Sequence, residues 1–174
     1  MTAYYPDIDA KLIPGVSAAG FKLGGSISEV VRRVGEVSWY ESDSSADEVL
    51  AKNNSWIGLK LECGPAIGLD EMVLSYVYLN ELVSLYFEKS EDLYRISVGK
   101  GCRGSCYGLI PGSELVSSDV SSHFLFNSMD DDFLFVKDGD TVEGVSFVTD
   151  YRASLEDAPN QTLKFISIHD WSLR

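Results

Sequence analysis

Cations, histidine, cysteine and proline are all scarce in this chain of 174 residues, and the shortages narrow its function. Fourteen Lys and Arg face 27 Asp and Glu, a net charge of −13 at pH 7. A surface so poor in positive charge repels nucleic acid and anionic membranes, so neither is expected as a partner. A basic protein is a compatible partner. Two histidines, His123 and His169, leave little for general base catalysis. The three cysteines, Cys63, Cys102 and Cys106, are an odd number that fits free thiols in a reducing compartment. Cys102 and Cys106 with a histidine lack the paired short spacings of structural zinc, so no metal is expected, and no cofactor. Met1 to Asp7 hold neither a basic stretch nor an apolar run, so no secretory leader is read there. No segment approaches the ~20 apolar residues of a membrane span. Cytoplasmic residence is the simplest expectation.

Apolar and aromatic residues are plentiful. Hydrophobic residues make up 45% of the chain, with 9 Tyr, 8 Phe and 3 Trp, enough for a packed core in one domain or two small ones. The acid is unevenly spread: residues 110–174 carry 12 Asp and Glu against 4 Lys and Arg.

A glycine-framed signature occurs twice. The first copy is Gly20-Phe-Lys-Leu-Gly24-Gly-Ser-Ile27-Ser-Glu-Val30, continuing through Val31 and Val34 to Gly35. Its apolar spacing predicts a helix from Ile27 to Val34, capped by Ser26 or Ser28. The second copy, Gly108-Leu-Ile-Pro-Gly112-Ser-Glu-Leu115, lies 88 residues on and predicts a short helix around 113–121. Each copy is followed by strand-like runs: 56–61, 73–79, 82–87 and 93–98 after the first, then 124–126, 133–136, 142–148 and 163–168 after the second. Leu85-Tyr-Phe87 with Ile96-Ser-Val98 resembles Val145-Ser-Phe147 with Ile166-Ser-Ile168. Residues 41–48 read as an acidic loop, and Asp138-Gly139 as a hairpin turn. The expected fold class is therefore α+β. It comprises two tandem modules, each a short helical segment followed by an antiparallel β-meander, at 1–98 and 113–174, with a glycine-rich connector at 99–112.

No catalytic constellation emerges. Gly99, Gly101 and Gly104 give G-x-G-x-x-G, but Ser105 to Pro111 cannot start the helix a pyrophosphate needs. Asp130-Asp131-Asp132 and Asp138-Gly-Asp140 do not match a calcium loop. With Glu143 they suggest either solvated acidic turns or a negative docking surface. Trp39, Tyr40, Tyr107, Phe133 and Tyr151 are candidate aromatic anchors for a partner.

The stretch Phe21 to Val30, closed by Gly35, resembles the helix-start signature of the SmpA/OmlA outer-membrane assembly lipoproteins and of the tandem-repeat β-lactamase inhibitor protein. The stretch Ile96 to Gly112 resembles a connector in small bacterial immunity proteins of contact-dependent or secretion-delivered toxin systems. This likeness implies a cytoplasmic, non-enzymatic immunity protein that binds and occludes a cognate basic toxin, such as a nuclease. The alternatives are an enzyme or small-ligand carrier using the concave face of the sheets, and a scaffold related to the assembly lipoproteins.

Overall fold

The computed structural model describes residues 4–43, 45–63, 71–116 and 123–174. Of these, 42% are strand and 12% helix, which overturns the expected pair of helix-plus-meander modules. The α-helices are α1 (Ile27–Val34) and α2 (Ala46–Lys52), and Trp171–Leu173 form a single 3₁₀ turn. The strands are β1 (Ser17–Ala18), β2 (Phe21–Lys22), β3 (Trp39–Glu41), β4 (Trp56–Cys63), β5 (Glu71–Tyr78), β6 (Val83–Phe87), β7 (Leu93–Val98), β8 (Glu114–Val116), β9 (Phe124–Asn127), β10 (Asp132–Lys137), β11 (Asp140–Thr141), β12 (Val145–Thr149) and β13 (Asn160–His169). Strands β1 and β2 form a small hairpin. The other eleven form one mixed sheet, ordered β3-β4-β5-β6-β7-β13-β12-β10, with β9 and β11 on β10 and β8 on β13. Among the described strands, β3 and β4 are the one parallel pair.

The junction is the last strand. β13 lies between β7 and β12, with Ser167 opposite both Ser97 and Ser146. Both halves of the chain thus share one sheet. A reading built on local hairpins misses this because strand partners are chosen by tertiary packing, not by neighbourhood in the sequence.

The two glycine signatures diverge for a local reason. In the first, Ser26 caps α1 through the Glu29 amide while the Glu29 carboxylate accepts from the Ser26 amide, a complete capping box. α1 spans the predicted residues and ends at Gly35. In the second, the position three after Ser113 is Val116, which cannot close such a box. Glu114–Val116 instead pair with Asn160–Thr162, and Leu115 is buried in the core. The remainder of the expected helix, 117–121, lies outside the described residues. The acidic stretch 41–48 also differs from its reading: Ala46 begins α2, whose Leu50 packs with Ile57, Leu59 and Val77.

The main core lies on the opposite face from α2. Leu85, Phe87, Ile96, Val98, Phe147, Ile166 and Ile168 project from central strands onto Leu12, Ala18, Phe21 and Leu23 of the N-terminal segment, with Val30 of α1. The connector glycines serve close backbone approach. A Cβ at Gly99 would lie 2.5 Å from the Glu81 carbonyl, and one at Gly104 would collide with the Ala10 carbonyl. Arg103 and Gly104 amides both donate to the Ile8 carbonyl.

Trp39, one of the candidate anchors, is a packing residue. Its ring lies over Gly58, directly across the β3–β4 pair, and meets Tyr76 edge-on at 5.1 Å. A Cβ at Gly58 would come within 2.7 Å of Cζ3 of that indole. Gly58→Val is therefore expected to displace Trp39 and destabilise the fold by about 2 kcal/mol, read as a lower urea midpoint. An unchanged midpoint would show that the indole does not pack there in solution.

Candidate functional site

Period-two alternation builds a polar cleft on the face opposite the main core. In β6, β7, β13 and β12 the residues flanking one serine point into that core, so the serine must point the other way. Val83-Ser-Leu85, Ile96-Ser-Val98, Ile166-Ser-Ile168 and Val145-Ser-Phe147 each follow this pattern. The strand registers place Ser84, Ser97, Ser167 and Ser146 in one row across the sheet. All four are buried, and the Ser97 and Ser167 hydroxyls are hydrogen-bonded at 2.7 Å. The neighbouring rows carry larger side chains. Tyr86, Arg95 and His169 align on one side, and Phe165 and Val148 on the other. Small floor residues between large walls leave a cleft of 440 Å³.

The charges within the cleft are arranged in two groups. Asp132 is 8% exposed and Asp130 is exposed, and the Asn127 amide donates to both, at 3.1 and 3.0 Å. Burial pushes the Asp132 carboxyl above the usual range, and hydrogen bonds from Ser146 and Asn127 work against that shift. Arg95 lies with its guanidinium 4.3 Å from the Tyr86 ring centroid, and its Nε donates to Ser97 Oγ at 3.2 Å. Arg152 donates to the Asp130 carbonyl, and the Lys164 ammonium lies 5.6 Å from the Phe165 ring centroid. His169 is 7% exposed and stacks on Trp171 at 4.4 Å. Burial, reinforced by Arg95, lowers its pKa to about 4, so the imidazole is neutral at pH 7.

The acidic residues singled out in the sequence are not one cluster. Asp130 and Asp131 occupy the β9–β10 turn, whereas Asp138, Asp140 and Glu143 lie beyond the far end of β10. At about 3.3 Å per residue, that strand holds the two groups roughly 20 Å apart. Asp132 belongs to the cleft rather than to the open surface. Asp138-Gly139 forms the expected hairpin turn, with both residues at positive φ, 54° and 91°. Among the aromatic candidates, Phe133 is inside the core and Tyr40 packs beside α2. Tyr107 stacks on Phe135 at 3.8 Å with one side exposed, and Tyr151 is 66% exposed.

Sequence reasoning missed Arg95, Trp171 and the serine row as parts of this cleft, and the burial of His169 behind Trp171. The signal was present in the repeated apolar-Ser-apolar triplets, but only their registers align the hydroxyls. Cys102 and Cys106 are buried free thiols away from this cleft; the side chain of Cys63 lies outside the described residues. Among the described residues no helix is long and apolar enough to cross a membrane. Comparison with known protein families, characterised proteins and solved structures finds no match, so the functional reading rests on the chain's own surfaces.

Proposed function

We propose that this chain is a cytoplasmic immunity-type protein that neutralises a basic toxin, nuclease-like in its charge, by binding and occluding it rather than by catalysis. The observation that carries this reading is the edge of the sheet formed by β9, β10 and β11. Asp130 and Asp131 lie at one end of this edge, and Asp138, Asp140 and Glu143 at the other, all exposed. Between and beside them are two unusually exposed apolar side chains, Leu125 at 53% and Met129 at 92%. Apolar contact area framed by like charges is the anatomy of a protein interface with a charged rim. The net charge of −13 argues against nucleic acid and anionic membranes as partners.

The test starts with the partner captured from the source cells, identified and purified. Such a partner should be basic, and its toxic activity should fall on addition of one equivalent of this protein. Neutralising Asp130, Asp131, Asp138 and Asp140 to Asn and Glu143 to Gln should slow association about tenfold or more at low salt and flatten its salt dependence. Leu125→Ala with Met129→Ala should instead speed dissociation, by about 1–2 kcal/mol in total. Equal salt slopes for the acidic variant and the wild type would remove this edge from the interface. An acidic partner, or one whose activity persists in the complex, would sink the reading altogether.

A further inference from the structure

Strand β9 ends the sheet, and one side of its backbone is open among the described residues. The Val136 amide donates to the His123 carbonyl at 2.8 Å, which fixes the phase of the β9–β10 ladder. Hydrogen-bonded and non-bonded pairs alternate along an antiparallel ladder. The register Phe135↔Phe124, Leu134↔Leu125, Phe133↔Phe126 and Asp132↔Asn127 therefore makes Leu125 and Asn127 the residues bonded to β10. The N–H and C=O groups of Phe124 and Phe126 point the other way. The far side of β10 has the matching phase: the Phe135 carbonyl accepts from the Val142 amide, and Phe133 pairs with Phe147 of β12. Among the described residues no backbone group meets the outward groups of Phe124 and Phe126.

An open strand edge is a template for another strand, and proteins usually blunt it with lysine, proline or a bulge. β9 reads Phe-Leu-Phe-Asn and has none of these; its register with β10 runs without a shift. Phe124 and Phe126 pack against the main core, which holds the strand in place from one face. On the other face Leu125 is exposed. The charges at the ends of this edge are of one sign. Asp130 and Asp131 follow β9 in the turn to β10, and Asp138 and Asp140 lie past the far end of β10, all exposed. A segment laid along β9 meets apolar contact in its middle and acid at both ends.

We propose that β9 accepts an extended segment of the basic partner as one more strand of the sheet. That segment is apolar at alternate positions and carries Lys or Arg at both ends. The inference rests on the partner reading and adds the mode of contact to it. Phe124 and Phe126 each offer one donor and one acceptor, which bind a main chain whatever its side chains. Selection falls to Leu125 and to the flanking acids, which favour cations at the ends of the segment. The same acids disfavour a second copy of this chain on the edge, because two chains of net charge −13 repel each other.

The experiment measures amide exchange by NMR on the intact protein, alone and with ligand. In the free protein the Phe124 and Phe126 amides should exchange about tenfold or more faster than those of Leu125 and Asn127. The probe is the peptide Arg-Lys-Val-Thr-Val-Thr-Val-Lys-Arg. Its controls are the same peptide methylated on every central backbone nitrogen, and a counterpart with Glu at both ends. The basic probe should saturate below about 1 mM and slow the Phe124 and Phe126 amides about tenfold or more. Methylation should weaken it about tenfold or more, and the acidic counterpart should not bind. Leu125→Lys, a charge on an exposed edge side chain, should weaken the basic probe about fivefold or more. Asp130→Asn with Asp131→Asn should do so about two- to fivefold. The purified basic partner should slow the same two amides. Slow exchange of both in the free protein, as a monomer or as a dimer by sedimentation, would mean that the edge is already paired; the inference then falls and the partner reading stands. It falls equally if the methylated and unmethylated probes bind alike, or if neither the basic probe nor the partner slows these amides. Protection by the basic probe together with an acidic native partner would instead sink the partner reading and leave β9 as a strand-accepting edge.

Discussion

Acidification from pH 7 to pH 4 is expected to lower the unfolding free energy by about 3 kcal/mol through His169 alone. The native imidazole is buried under Trp171 at the end of β13, and its pKa falls from 6.5 to about 4. Desolvation is the main cause and Arg95 the second; Asp130 and Asp170 oppose them weakly. Between these two values the unfolded chain holds a proton that the native state refuses. The His169 contribution is therefore complete above pH 6.5 and is lost as the pH falls toward 4. Asp132 acts with the opposite sign. Its native carboxyl titrates above its unfolded value, so protonation relieves the cost of its burial as the pH falls. Urea unfolding at pH 7, 5.5 and 4 should show a steeper decline for the wild type than for His169→Gln. The decisive quantity is the difference in pH slope, which a loss of stacking in the variant does not imitate. Parallel pH profiles would mean that His169 is not neutral and buried in solution.

The second large effect concerns Gly144. It has φ +81°, and a Cβ there would lie 2.6 Å from the Gly15 Cα and 3.0 Å from the Pro14 carbonyl carbon. The Gly144 carbonyl accepts from both the Gly15 and His169 amides, at 3.0 and 3.1 Å. This one residue thus ties the N-terminal segment to the start of β12 and to the end of β13. Gly144→Ala is expected to cost about 3–4 kcal/mol, combining backbone strain with a collision that flexible side chains cannot absorb. Gly139→Ala is the matched control. Gly139 has a similar φ of +91°, but a Cβ there meets nothing within 4 Å, so the cost is about 1 kcal/mol. Equal losses for the two variants would refute the docking of Gly15 on Gly144, since only that contact separates them.

Much of the local structure was legible in the chain. Ser26, Glu29 and Gly35 set both ends of α1 through groups within the same nine or ten residues. Asp138-Gly139 set a hairpin because few residue pairs accept two positive φ values in succession. The central strands were legible because alternation is a property of each strand alone. The second glycine signature misled because G-x-x-x-G does not by itself start a helix; without an acid or amide three residues after Ser113, pairing with β13 prevailed.

The sequence by itself determined which residues of each strand could share a face, how α1 begins and ends, and the strong excess of acid. It could not determine which strands would become neighbours, because hydrogen bonding along a strand edge is blind to side-chain identity. Only the tertiary structure inserted β13 between β7 and β12, made one sheet of the two halves and aligned Ser84, Ser97, Ser167 and Ser146. That same register set Arg95 across from His169 and gathered three cations around a floor of hydroxyls. The acidic triplet was divided for a related reason: at the entry to β10, alternation turns Asp132 inward to Ser146 and Asn127 while Asp130 and Asp131 remain in the exposed turn.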